Sequence, residues 1–245
     1  VQIKGAVALV TGANGGIGQN YVEALRNEGV ERIYAGARNP DSLSKIVAID
    51  SQRIIPIQLD VTDEQSVKAA ANKCSDVTLL INNAGIGLLK GFISATDLSS
   101  ARAEMEVNYF GALSMCREFA PILKANGGGA IVNMLTILAK VNLPMNASYC
   151  ASKAATLSMT QAIRAELAAQ GTLVIGVMPG TVDTGMSQAF PPPKVSPAEV
   201  AKAALQAVID EIEDVYPGEQ ATQMAAQLLE DPKGLERLMG KMLPM

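Results

Sequence analysis

Apolar positions along the chain follow two rhythms. Short continuous apolar runs stand at 6–11, 32–36, 54–59, 77–81, 130–135 and 173–178. Runs of that length predict strands covered on both faces. Between them the apolar spacing lengthens to that of a helix. Ile17, Tyr21 and Leu25 mark the first helix, with Gly29 as its stop. Thr62 and Gln65 read as a capping box that opens another. Further helices are predicted over about 100–125, over 149–170, and from Ser196, a cap followed by Pro197 at the first helical position. Pro121 predicts a bend or early fraying late in the 100–125 helix, and Gly127, Gly128 and Gly129 end it. The last forty residues are mainly helical in pattern, with a short strand at 214–216. Pro56 interrupts the 54–59 strand.

This alternation predicts an α/β fold: a doubly wound parallel sheet of Rossmann type, three-layered α/β/α. No repeat or linker divides the chain, so 1–245 reads as a single domain, with 186–245 as its lid and helical C-terminal part. Pro191, Pro192 and Pro193 stiffen a loop in that part.

Composition narrows the picture further. With 49% apolar and 18% charged residues, the chain can bury a sizeable core and is not a disordered sequence. A net charge of −4 without a basic cluster argues against nucleic-acid binding. No apolar run reaches the roughly 18–20 residues that span a bilayer, so no membrane partner is expected. The N-terminus lacks the pattern of a signal peptide, and a cytoplasmic location is expected. The sequence has no histidine, which excludes Ser-His and Cys-His catalysis and His-ligated metals. Cys74, Cys116 and Cys150 stand far apart and form no CxxC, so no metal site is expected and the thiols read as reduced and buried.

Between the first strand and first helix lies Thr11-Gly12-Ala13-Asn14-Gly15-Gly16-Ile17-Gly18. The GxxxGxG spacing allows a tight turn and close backbone approach to a pyrophosphate. The helix N-terminus behind it offers unpaired N–H groups. This predicts dinucleotide binding. In such folds a carboxylate at the tip of the second strand holds the adenosine 2′-hydroxyl. Here that strand ends Gly36-Ala37-Arg38, and a guanidinium there suits a 2′-phosphate. NADP(H) is therefore expected over NAD(H). Asp41 reads as the cap of the next helix.

Tyr149 and Lys153 form a YxxxK pair on one helix face. A phenol near pKa 10 exchanges protons poorly at neutral pH, and a neighbouring ammonium favours the phenolate. With this pair in hand, the chain resembles the short-chain dehydrogenase/reductase family, in its subgroup of about 250 residues. The resemblance rests on residues 11–18, Asp60-Val61, Asn82-Asn83-Ala84-Gly85, Asn108, residues 149–153, and Pro179-Gly180-Thr181-Val182-Asp183-Thr184, in the family's order. It implies that Asp60 and Val61 contact the adenine, and that Asn83, Ala84 and Gly85 line the adenosine ribose. It also implies that Pro179, Gly180, Val182 and Thr184 follow the nicotinamide end. Tyr149 would exchange the proton. Lys153 would hold the ribose and lower the tyrosine pKa, and Asn108 would support a water leading to solvent. Thr136 stands thirteen residues before Tyr149, where the family carries serine. Its hydroxyl can still steady the substrate oxygen, although the β-branch restricts the rotamer.

These readings predict an NADP(H)-dependent oxidoreductase acting on an apolar carbonyl compound or alcohol. Leu88, Leu89, Leu138, Val141, Leu143, Met145, Met186 and Phe190 are expected in the substrate wall. Two alternatives stand beside this: a catalytically weak NADP(H) sensor, favoured by Thr136, and non-redox chemistry such as epimerisation. The resemblance implies a homo-oligomer built on the long helices. The methionine- and leucine-rich tail at 220–245 could cover a second contact face, which favours a dimer over a tetramer.

Overall fold

Seven strands form one sheet in the order β3-β2-β1-β4-β5-β6-β7, and every neighbouring pair is parallel. They are β1 Val7–Thr11, β2 Arg32–Ala37, β3 Ile54–Gln58, β4 Leu79–Asn82, β5 Gly129–Met134, β6 Thr172–Val177 and β7 Asp214–Val215. The computed structural model describes residues 1–244. β1 and β4 are buried along their whole length, which is why they read as unbroken apolar runs rather than alternating ones. Pro56 is accommodated because β3 is an edge strand, where a missing N–H breaks no second ladder.

Helices cover both faces. α1 Gly16–Asn27, the short α2 Ser44–Val47 and α7 Pro197–Asp210 pack on one. α3 Glu64–Lys73, α5 Ala112–Ala125 and α6 Ala147–Ala168 pack on the other. The remaining helices are α4 Ser99–Met105, α8 Glu219–Glu230 and α9 Pro232–Met239. Gly29 and Gly171 follow α1 and α6 with positive φ, the conformation that ends a helix.

Three local expectations are corrected. Asp63, not Thr62, caps α3: its carboxylate accepts the Gln65 N–H at 2.9 Å, while Thr62 turns back to Asp60. Asn39, not Asp41, caps the short turn after β2. The 100–125 helix does not fray early at Pro121, since α5 runs on to Ala125, and Pro121 lies on an exposed side where water can take up the carbonyl it leaves unpaired. The irregularity falls earlier, in a wide π turn at Glu106–Gly111 that joins α4 to α5 and contains Asn108. Gly111 closes this turn against Val61: a Cβ there would lie 2.7 Å from the Val61 Cγ2.

A buried polar relay fixes α6 to the centre of the sheet. Asn82 Nδ2 donates to Asn133 Oδ1 at 2.9 Å, and Asn133 Nδ2 donates to Thr160 Oγ1 at 2.9 Å. Both asparagines sit at paired positions of β4 and β5. Removing the middle member deletes two buried hydrogen bonds, each worth about 1 kcal/mol, and leaves a cavity, while Asn82 Nδ2 keeps its contact with Cys116 Sγ and Thr160 Oγ1 its bond to the Thr156 carbonyl. Asn133→Ala is therefore expected to destabilise the protein by about 2–4 kcal/mol, read from urea denaturation. A loss under about 1 kcal/mol would contradict the relay.

Candidate active site

Strand order reverses between β1 and β4, and the chain leaves their C-terminal ends in opposite directions, opening a crevice. The two strand ends are stitched together. Thr11 Oγ1 accepts the N–H groups of Asn83 and Ala84 at 3.0 and 2.9 Å. Asn83 Nδ2 donates to the carbonyls of Thr11 and Gly12. Gly12 adopts φ +62° there. At Gly18 a Cβ would fall 2.2 Å from the Gly12 carbonyl oxygen, so only glycine lets α1 start this close to β1. Gly15 turns its N–H to the Gly12 carbonyl and caps α1 without a side chain, and no acidic residue stands in the first turn. The first N–H groups of α1 are thus free for an anion. Asn14 is exposed beside them.

The chain after β6 returns to this loop. The Thr184 methyl packs over Gly16, 3.1 Å from where its Cβ would be. β2 ends alongside, with the Ala13 N–H bonded to the Gly36 carbonyl, and Arg38 follows, exposed and without an ion pair among the described residues. Asp60 holds the turn after β3 through Thr62, and Val61 rests on Gly111. Arg38, Asp60, Val61 and Asn14 therefore lie outside the main cavity. These features fit a dinucleotide: a cradle kept clear by glycine, an uncapped helix start and an unpaired guanidinium.

The cavity, of about 210 Å³, gathers Ile17, Asn83, Gly85, Thr136, Tyr149 and Lys153 with Pro179, Gly180, Val182 and Thr184. Lys153 is buried and donates to the Met134 carbonyl at 2.8 Å, with its ammonium 5.9 Å from the Tyr149 ring centroid. Asn108 does not point freely to solvent. Its amide accepts from the Ile86 N–H and donates to the Ile86 carbonyl and to Ser152 Oγ. Thr136 Oγ1 accepts the Leu138 N–H at 3.2 Å and donates to the Pro179 carbonyl at 3.3 Å. To bond a substrate oxygen it must release Pro179.

Burial dominates the electrostatics of the pair. Burial, then the neighbouring Cys150 and Glu104, push the Tyr149 phenol above its ordinary range. Burial also pulls Lys153 down to about 8. Glu104 was not legible as a site neighbour. It is wholly buried, with Oε1 accepting the Leu88 N–H at 2.7 Å and Oε2 unpartnered among the described residues. In sequence it is one more polar residue of a surface-type helix.

The apolar wall is partly as expected. Leu89, Leu138, Leu143, Met186 and Phe190 line the cavity, whereas Leu88, Val141 and Met145 do not. The far side comes from the C-terminal segment, through Met224, Met239 and Met242. The Met145 N–H bonds the Met242 carbonyl at 3.0 Å. This tail covers the pocket of its own chain.

The model of the short chain dehydrogenase family matches residues 6–194, and the chain belongs to that family of oxidoreductases, whose members bind a nicotinamide cofactor. A short chain dehydrogenase from Burkholderia cenocepacia, solved in complex with NADP, is 46% identical, with TM-score 0.93 over 98% of this chain and 99% of that one. An uncharacterized oxidoreductase of Staphylococcus saprophyticus is 31% identical over 85% of this chain and 93% of its own length. A short chain dehydrogenase/reductase from Burkholderia phymatum, solved in complex with NAD, shares the fold at 22% identity and TM-score 0.84 over 96% of each chain. Among the described residues no helix is long and apolar enough to cross a membrane.

The lowered Lys153 pKa has a stability consequence. Below about pH 8 the folded and unfolded chains both hold the proton, and the buried charge opposes folding. Between about 8 and the ordinary value of 10.5 the unfolded chain binds more protons, so this contribution to stability rises with pH. The stability advantage of Lys153→Met over the parent, from urea melts, is expected to shrink as pH rises across that interval. An advantage that stays constant or grows would contradict it.

Proposed function

We propose that the protein is an NADP(H)-dependent carbonyl reductase or alcohol dehydrogenase acting on an apolar substrate. The observation that carries this reading is the pair of buried Lys153 and half-buried Tyr149 lining an apolar cavity, beside a glycine cradle fit for a pyrophosphate. Bound nicotinamide would supply or accept a hydride. Gly12, Gly16 and the free N–H groups of α1 would hold the pyrophosphate, and Asn83, Ala84, Gly85 and Lys153 the riboses. Asp60 and Val61 would face the adenine, and Pro179, Gly180, Val182 and Thr184 the nicotinamide end.

Tyr149 would move the proton at the substrate oxygen. Its raised pKa keeps the phenol protonated at neutral pH, which suits proton donation during carbonyl reduction. Loss of that proton creates a phenolate, and the nearby Lys153 ammonium stabilises it. Thr136 would turn its hydroxyl from Pro179 to the same oxygen, and Asn108 would hold the loop at Ile86 beside Lys153. The engagement of Thr136 with Pro179 also supports a second reading, a protein that binds NADP(H) but turns it over slowly. Net NADPH consumption with a panel of apolar ketones separates the two. The exposed groove between α5 and α6, lined by Tyr109, Leu113 and Met159, supports assembly with a second copy as a homodimer.

Arg38 and the NADP-bound relative at 46% identity support the choice of NADP(H). Parallel titrations of NADPH and NADH, followed by cofactor fluorescence, test it; the absence of tryptophan removes the main competing signal. The parent protein should bind NADPH at least about tenfold more tightly, the value of one charge-assisted contact. Arg38→Asp should remove or reverse that preference. An unchanged preference in the variant would overturn the assignment.

A further inference from the structure

Beyond the last sheet pairing of β4, at Asn82, the chain runs past Tyr149 as residues 86–90. A Cβ at Gly87 would lie 3.4 Å from Tyr149 Cδ2 and 3.4 Å from Met186 Sδ, so this backbone is one wall of the tyrosine's site. Leu89 lines the cavity with φ +52°, a left-handed backbone that a side chain disfavours. Such a conformation persists only where neighbouring contacts over-determine it. Two side chains of one helical stretch supply them. Asn108 brackets Ile86 through both its N–H and its carbonyl. Glu104, four residues earlier on α4, accepts the Leu88 N–H on Oε1 at 2.7 Å. The start of α6 adds a longer contact, from the Ser148 N–H to the Lys90 carbonyl at 3.5 Å.

Stability alone does not account for a glutamate here. Glu104 is wholly buried, and its Oε2 has no hydrogen-bond partner among the described residues. Burying an unpaired carboxyl opposes folding, and a leucine would avoid that cost. The Leu88 bond is the one hydrogen bond Glu104 makes among the described residues. We propose that Glu104 is a positioning residue: by fixing Leu88 it sets Gly87 against the Tyr149 ring and holds Leu89 in the substrate wall. It does not line the cavity itself, so it acts through the backbone of 87–89. Burial remains the main cause of the raised Tyr149 pKa, so removing the Glu104 charge still leaves a protonated phenol at pH 7. The catalytic part of this role rests on the carbonyl-reductase reading above.

The test compares Glu104→Leu and Glu104→Gln with the parent at pH 7, using the full chain, NADPH, propiophenone and cyclohexanone. Glutamine keeps an oxygen for the Leu88 N–H, and leucine does not. In Glu104→Leu kcat should fall about 10–100-fold, the effect of a small displacement at the reacting groups, while NADPH affinity stays within about threefold of the parent. Glu104→Gln should restore kcat to within about threefold. A fold-wide defect would instead lower the NADPH binding stoichiometry together with kcat. Trypsin gives a readout free of turnover: Lys90 is exposed in the held segment, and cleavage after it should be faster in Glu104→Leu and unchanged in Glu104→Gln. Should Glu104→Leu fail to fold, Glu104→Met carries the same test. Calorimetry of the two ketones on protein loaded with NADP separates this role from the function reading. Ketone binding without turnover in the parent, weakened in Glu104→Leu and kept in Glu104→Gln, would support the positioning role and place the failure in the function reading. Four results would overturn the proposal: unchanged kcat in Glu104→Leu, or unchanged ketone binding where the parent is inactive; Glu104→Gln as impaired as Glu104→Leu; NADPH binding lost in step with kcat; or a parent that neither binds nor reduces either ketone.

Discussion

The chain leaving β1 and the chain leaving β4 must part to opposite faces of the sheet, because strand order reverses between them. The rest of the molecule depends on how that parting is held. Thr11 does most of it, taking two backbone N–H groups of the β4 exit on one hydroxyl. Asn83 answers by capping the carbonyls of the β1 exit. Two loops that would otherwise be mobile become one rigid lip. Only then do the glycines matter. Gly18 brings α1 against that lip, and the start of the helix is left without a side-chain cap, as a phosphate site requires.

The second half of the site is set by burial rather than by charge. α6 is held to the sheet centre by the relay through Asn133 and Thr160, and so carries Lys153 into a nearly dry place with Tyr149 half-buried beside it. Removing water disfavours both charged forms. The phenol rises and the ammonium falls, each toward neutrality. Any stabilisation of the phenolate by Lys153 therefore acts against a burial effect that favours the neutral phenol.

Much of this was legible in the sequence. Unbroken apolar runs gave away strands buried on both faces, and the glycine loop and YxxxK pair marked two ends of one crevice. What escaped was set by contacts distant in the chain. Thr62 lost the cap of α3 to Asp63 because Asp60, at the strand exit, engaged its hydroxyl. The helix irregularity fell at Asn108 rather than at Pro121, since the π turn answers to the packing of Gly111 on Val61. Glu104 and Asn146 look like ordinary polar residues until the fold buries them. The methionines of α8 and α9 gave no positional signal, yet they close the cavity because the tail folds back over it.

The central claim is that the Tyr149 hydroxyl delivers the proton while the surrounding cradle binds the cofactor independently of it. The most direct measurement compares Tyr149→Phe with the parent protein in two readouts, NADPH binding by cofactor fluorescence and NADPH consumption with an accepted ketone. The account predicts binding close to that of the parent and consumption reduced by about 100–10,000-fold, the range expected for a lost general acid. Consumption within tenfold of the parent would contradict it.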